Sequence, residues 1–509
     1  MSKSDKHTYG QILKSSALTG GSSILNVGLG MVRTKAVALI LGPAGIGLFG
    51  LYGSIYDLTR SVAGLGISGS GVRQIAEAVG SGDVERIART VMTLRRVVFC
   101  SGALGALMLL ILCKPVSCLT FNDFKHTEAV ALLALAVFFG DVSAGQAALV
   151  QGMRQIADLA KMSVLGAFYG TLFSIPIVYV FHENGVVPSL VCVAAMGVLT
   201  SWWYARKIKV ERVLLTVRQV MDETRGLLKL GLVFMASGLM LLGTGYLIRV
   251  IILRKLGLEA AGHFQAAWAL GSYYVAFILQ AMGADFYPRL TAVASNNVEC
   301  NRLVNEQAEV SLLLAGPGVI ATLTFAPLVI ELFYSAKFGP AVEILRWICL
   351  GMTLRVASWP MGFILLAKGA RRLFFWSELL INLLFMGLLW VGVVLFGLQG
   401  TGIAFLVMYV AYWIGIYFIV RRLSGFRWSA ANRRLALLFV PLVAAVFVGW
   451  NFFHPSAPIA TVSVCSLVTI FAGIYSLKTL CTLVPLERLP GPVQKIILFL
   501  RLAPLKKKK

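Results

Sequence analysis

LGPAGIGLF, residues 41–49, recurs as LGLEAAGHF at residues 256–264. Leu, Gly, Gly and Phe keep their places at an offset of 215. Leu13-Lys14 matches Leu228-Lys229 at that same offset, and Gly152 and Arg154 in QGMRQ match Gly369 and Arg371 in KGARR at 217. Concordant offsets at both ends of the unit point to a duplication. One offset holds six apolar stretches, each of the roughly 20 residues that a bilayer-crossing helix needs. Six is even, so both copies enter the membrane in the same sense, as parallel repeats related by an axis along the membrane normal.

Composition sets the same frame. Of 509 residues, 58% are apolar and 13% charged, and the mean hydropathy is +0.83. A soluble body of this length has too little polar surface to cover that much apolar side chain. This excludes a soluble globular enzyme, a disordered chain and a fibre. Runs near 12–35, 44–68, 94–113, 127–150, 162–181, 187–205, 227–249, 263–286, 308–333, 341–367, 373–396, 401–420, 435–453 and 459–484 read as spans. They are too long and continuous for barrel strands. The expectation is an all-α polytopic membrane protein of about fourteen helices. Residues 1–215 and 216–430 form two six-helix bundles, and 431–509 add two helices and a basic tail. A cleft between the bundles is the expected place for a substrate, reached by alternating access. The polar start MSKSDKHTYG leads into a long first span, read as a retained helix rather than a signal peptide.

The net charge of +24 suggests nucleic acid only until the bases are placed. With the N-terminus in the cytoplasm, 35 Lys and Arg fall on cytoplasmic segments and seven on outside ones. That asymmetry fixes orientation, with both termini cytoplasmic. The longest outside loop is expected at Lys114 to His126, too short for a catalytic domain. The eight cysteines are scattered without metal-ligand spacing, and the five histidines form no metal constellation. Cys113 and Cys118 flank that outer boundary and are near enough in sequence to pair. Phosphate-loop, G-x-S-x-G and H-E-x-x-H motifs are missing. No catalytic residue, metal or cofactor is expected.

Ionisable residues inside spans mark functional positions or buried pairs. Asp57 and Arg60 stand three apart on one helical face, as a self-neutralising pair or a cavity wall. Asp141 lies near the middle of the fourth span, in FFGDVSAGQ, as a packing carboxylate or a proton carrier. Arg355 precedes Pro360, with Trp359 one turn on and placed for cation–π contact. Arg346 lies nearer the outer surface, and Arg33 and Arg249 occupy matching outer ends of the two first helices. These three either snorkel or line a cleft mouth. Glu378 and Asp285 stand at helix ends and are expected to pair with Arg372 or Arg289.

LGPAGIGLFGLYGSIYDL, GLGISGSGVRQIAEAVGSGD, QGMRQIADLAK, FYPRL, YSAKFGPAVEILRW and LLAKGARRLFFWSELL together resemble the O-antigen and enterobacterial-common-antigen flippases. These are the Wzx-type translocases of the multidrug/oligosaccharidyl-lipid/polysaccharide exporter superfamily. The resemblance runs over roughly residues 8–425. It implies translocation of an undecaprenyl-pyrophosphate-linked oligosaccharide across the bacterial inner membrane, without bond chemistry. It further implies association with membrane lipids, a polysaccharide polymerase and a chain-length regulator, and none with nucleic acid. Arg60 and Arg355 would engage pyrophosphate, since guanidinium suits bidentate phosphate contacts. Arg33, Arg249 and Arg346 would extend the cationic path. Asp57, Asp141, Glu378 and Asp285 would balance charge or carry a coupling proton. The apolar stretch 435–484 departs from the family's usual twelve helices and is more like the lipid II flippase branch. A multidrug antiporter of the superfamily is the other alternative, though it should favour carboxylates over arginines.

Overall fold

The computed structural model describes residues 3–208, 216–453 and 457–483. Among these, every regular element is helical. The helices are α1 (Lys3–Ala63), α2 (Ile67–Ser81), α3 (Val84–Phe121), α4 (Thr127–Gly152), α5 (Ile156–Phe181), α6 (Val186–Ala205), α7 (Val217–Leu256) and α8 (Leu258–Ala292). They continue as α9 (Asn297–Thr324), α10 (Ala326–Phe333), α11 (Ala341–Ala367), α12 (Arg371–Phe396), α13 (Gln399–Ser424), α14 (Ala430–Val448) and α15 (Pro458–Leu483). A π-helical turn, Gly449–Phe453, closes α14.

Ten segments of the described residues are long and apolar enough to cross a bilayer. Two of them each hold two of the crossings expected from sequence. Gly20–Ala63 is broken at Gly42, whose φ of 69° and ψ of −162° are non-helical, one residue before Pro43. Only glycine takes that backbone at little cost. Ile156–Ala205 contains α5 and α6 around a short 3-10 turn, His182–Gly185. The expected spans 227–249 and 263–286 lie within α7 and α8, helices of 40 and 35 residues. One expectation needs correcting. The outer loop does not begin at Lys114, because α3 continues through Pro115 to Phe121 and ends on Asn122 in the left-handed region. Cys113 and Cys118 are both free thiols.

The chain divides into two compact units. The first comprises Met1–His263 with Phe333–Lys337, and the second Phe264–Leu332 with Phe338–Lys509. In the first, α4 packs on α3 and α6, α5 on α6 and α1, and α7 on α1. One of its cores joins Leu48, Tyr52 and Ile55 of α1 to Leu133 and Val137 of α4 and Tyr246 of α7. In the second, α11 packs on α13 and α9, while α14 and α15 both lie on α9. Asparagines clamp α14 there. Asn305 Nδ2 donates to the Arg427 carbonyl at 3.1 Å, and Asn432 Nδ2 to the Asn305 carbonyl at 2.8 Å.

At one end of the first unit, His126 caps the approach to α4. Tyr52 Oη lies 2.7 Å from His126 Nδ1, and Phe121 stacks on the imidazole at 3.8 Å. Burial pushes His126 below the ordinary histidine value of 6.5, with Lys125 adding to the push and Asp123 and Glu183 opposing it. The neutral ring is therefore the folded form. A depressed folded pKa means that this contribution is present above pH 6.5 and is lost as pH falls through the folded value. Thermal unfolding of the wild type is expected to shift down between neutral and mildly acidic pH. His126→Gln is expected to shrink that shift.

Candidate functional site

A cavity of about 440 Å³ lies inside the first unit. Its walls come from the second half of α1 (Asp57, Arg60, Ser61), the start of α2 (Ser68), α3 (Ser101), α4 (Asp141) and α7 (Met235, Leu242). Local backbone explains why it exists. Between α1 and α2 the chain turns at Leu65 and Gly66, both at positive φ. A Cβ on Gly66 would lie 2.1 Å from the Gly231 carbonyl oxygen, and one on Gly231 would lie 2.3 Å from that of Leu65. Two bare backbones thus touch at the elbow beside the cavity, an approach that a side chain on either would block.

Asp141 is set into a notch made by missing side chains. A Cβ on Gly64 would come 3.2 Å from its Oδ1, and one on Gly102 3.3 Å from its own Cβ. The carboxylate is 5% exposed. Its Oδ1 faces Arg60 Nε at 3.7 Å, and its buried Oδ2 has no hydrogen-bond partner. As for the two readings of Asp57 and Arg60, both residues line the cavity, and Arg60 forms its ion pair with Asp141 of α4 rather than with Asp57. Asp57 remains within electrostatic reach of both Arg60 and Arg249. Arg249 is half-buried on α7 and donates from Nη1 to the Gly245 carbonyl at 2.8 Å. Arg33 is half-buried on the first half of α1.

Tyr56 belongs to this site and escaped the sequence reading. Its ring lies 5.9 Å from the Arg60 guanidinium carbon. Its hydroxyl occupies the space where a Cβ on Gly140 would be, 2.2 Å away. The signal was present, because Tyr56 precedes Arg60 by four residues, one helical turn. Chemically, the cavity offers one cation, two carboxylates and several hydroxyls, a set able to hold a hydrated anionic or hydroxyl-rich group.

The second unit gathers its own polar cluster. Tyr412 Oη donates to Glu378 Oε1 at 3.4 Å, and Arg355 lies within electrostatic reach of Glu378 and Tyr409. Glu378 therefore turns to α13 and α11 rather than to Arg372. Trp359 does not hold Arg355. It packs against Phe363 at 4.6 Å and Phe286 at 6.2 Å, while Arg355 Nη1 donates to Met352 Sδ at 3.9 Å. Trp450 covers a guanidinium in this unit, that of Arg346 at 4.5 Å. The side chain of Asp285 lies outside the described residues. Among the described residues, no group of three or more His, Cys, Asp or Glu is placed to hold a metal ion.

Comparison with known proteins follows the same lines. The family described as "Polysaccharide biosynthesis protein" matches residues 36–343. The chain is 22% identical over 427 residues to the lipid III flippase of Escherichia coli (strain K12), covering 81% of this chain and 99% of that protein. The lipid III flippase of Shigella flexneri matches to the same extent. Among solved structures, the lipid II flippase MurJ in an inward closed conformation superposes with a TM-score of 0.67 at 12% identity, covering 92% of this chain and 98% of its own. An inward-facing multidrug resistance MATE family transporter of the MOP superfamily gives 0.65 at 17% identity, covering 78% and 95%. The helices therefore adopt the fold of these membrane transporters.

Proposed function

Since the chain belongs to the polysaccharide biosynthesis protein family, we propose that it is a flippase carrying polyprenyl-pyrophosphate-linked oligosaccharide across the bacterial inner membrane by alternating access. The observation that carries this reading is the pairing of cavity-facing Arg60 with buried Asp141 on the wall of a polar cavity. Charges within membrane helices are costly and are retained where they face a polar pathway. The guanidinium suits a pyrophosphate, and the hydroxyls of Ser61, Ser68 and Ser101 suit a sugar. The prenyl tail needs no protein path, because lipid already solvates it.

In this proposal Arg249 and Arg33 extend the cationic path in the first unit, and Asp57 balances Arg60 or carries a coupling proton. Arg355 and Glu378 do the equivalent in the second unit, with Asp285 near its basic end. The duplicated segments 1–215 and 216–430, with 431–509 appended, keep both termini cytoplasmic. A polymerase and a chain-length regulator act on the delivered glycan, while this protein makes and breaks no bond. A lipid II-type substrate is the second reading, favoured because the likeness to MurJ extends over 92% of the chain.

The test is reconstitution. Purified protein in sealed vesicles should expose a polyprenyl-pyrophosphate-linked oligosaccharide, loaded on one leaflet, to a glycosidase on the other side. Exposure at the rate of protein-free vesicles would end the flippase reading. Exposure of lipid II alone would select the second one.

A further inference from the structure

Arg346 is out of place in the site just described. It sits six residues into α11 and is only 8% exposed. Its guanidinium lies against the Trp450 ring at 4.5 Å, on the π-helical turn that ends α14. Its buried Nε has no hydrogen-bond partner. Among the described residues, no carboxylate lies within ion-pair distance of it. Glu343, the acid one turn earlier, accepts from Gln399 Nε2 at the start of α13 and acts on Arg346 only through space. Neighbouring contacts hold these helices together: Trp347 packs on Phe447 at 4.6 Å, and Thr324 Oγ1 meets Thr469 Oγ1 of α15 at 3.0 Å.

Arginine does not deprotonate in proteins, so its charge must be answered. An aromatic face answers part of it but accepts no hydrogen bond at Nε. A buried Nε–H left without an acceptor is unfavourable, so an occupant that brings anionic oxygens is favoured. Depth says which. Arg346 lies about 7 Å along the helix from its first residue, at 1.5 Å per residue. The α11 start, the α14 end and the α15 start all lie on the face opposite the basic loops. Tryptophan there marks the headgroup level of a bilayer, where the abundant anionic oxygens belong to lipid phosphates.

We propose that Arg346 and Trp450 form a binding site for the phosphate of a lipid at the junction of α11, α14 and α15. The site shares no residue with the cavity of the first unit, and it does not depend on the flippase reading. Phospholipid and polyprenyl phosphate share the chemistry that it recognises.

Delipidated full-length protein in detergent, titrated with dioleoylphosphatidylglycerol and read by native mass spectrometry, tests this. The wild type should hold one phosphatidylglycerol more tightly than the rest. Arg346→Gln should weaken that site at least about tenfold, the loss expected for a charge-assisted hydrogen bond, and Arg346→Lys should weaken it less. Dioleoylglycerol, with the same tails and no phosphate, should not compete. Displacement by undecaprenyl phosphate at lower concentration would support the phosphate site and name the polyprenyl source. Unchanged binding in Arg346→Gln, or equal competition by dioleoylglycerol, would overturn the proposal. Should Arg346→Gln fail to fold, Trp450→Leu keeps the charge and removes the ring. A severalfold loss then supports the site, and unaltered binding rejects it.

Discussion

Gly262→Ala is expected to destabilise the protein by about 3 kcal/mol or more, a severe cost for one methyl group. An ideal Cβ at Gly262 falls 1.9 Å from the Pro43 carbonyl oxygen and 2.6 Å from its carbon. Both partners are backbone, so no flexible side chain can step aside. The kink at Gly42–Pro43 further pins that carbonyl, because Pro43 starts the second half of α1 at a fixed φ. Gly47 makes the reciprocal contact, with its Cβ position 2.5 Å from the Leu258 carbonyl oxygen. Gly47→Ala should therefore be costly as well. The double variant should cost less than the two singles together, since the first substitution already parts the helices. Gly243→Ala on α7 is the control. Nothing lies within 4 Å of its Cβ position, and alanine is worth up to about 1 kcal/mol over glycine inside a helix. Unfolding in a denaturing detergent should show loss for Gly262→Ala and no loss for Gly243→Ala. Equal midpoints would mean that the crossing is not a packing constraint.

Those glycines are the ones that mark the repeat, so the sequence comparison had found a contact without identifying it as one. Matching letters at an offset of 215 concern sequence alone. They say nothing about which surfaces meet, and the structure adds that LGPAGIGLF and LGLEAAGHF cross each other at their glycines. The helical character was legible because lipid requires long apolar runs, and the break at Pro43 because proline and glycine punctuate a helix; the number of spans was not, since the ten long apolar segments of the described residues include two that each hold two of the expected crossings. Partners were less legible. Asp57 is the nearest carboxylate to Arg60 along α1, yet the ion pair forms with Asp141, 81 residues on. Helical spacing ranks neighbours within one helix only. Choice among helices depends on which small residues allow approach, and Gly64 and Gly102 made that choice. Trp359 and Trp450 teach the same point. A ring four residues from Arg355 found aromatic neighbours instead, while a ring 104 residues from Arg346 closed over its guanidinium.

Arg60→Gln is expected to reduce transport on the order of 100-fold, the equivalent of one hydrogen bond between charged groups worth 1.5–3 kcal/mol. The geometry of the resting pair explains why the loss should fall on transport. Arg60 meets Asp141 through one contact at 3.7 Å, longer than a charge-assisted hydrogen bond and not bidentate. Such a pair holds the guanidinium in place without consuming its donors. Arg60 is 39% exposed, toward the cavity, while Asp141 is 5% exposed, so the cation is the member that an anionic substrate can reach. Tyr56 supports it from beneath, and Tyr56→Leu should therefore weaken transport less than Arg60→Gln does. Asp141→Asn keeps the shape of the notch and removes the charge that competes with substrate for Arg60. Its loss should be smaller, and it should appear as slower release with tighter substrate retention. The exchange Arg60→Asp with Asp141→Arg separates structure from function. It preserves the charge balance and can recover folding, judged by size-exclusion profile, but it moves the guanidinium from the cavity wall into the notch on α4. Transport should stay low. Full recovery in the exchanged protein, or wild-type transport in Arg60→Gln, would reduce the pair to a fastening between α1 and α4, and the substrate's phosphates would have to be met elsewhere.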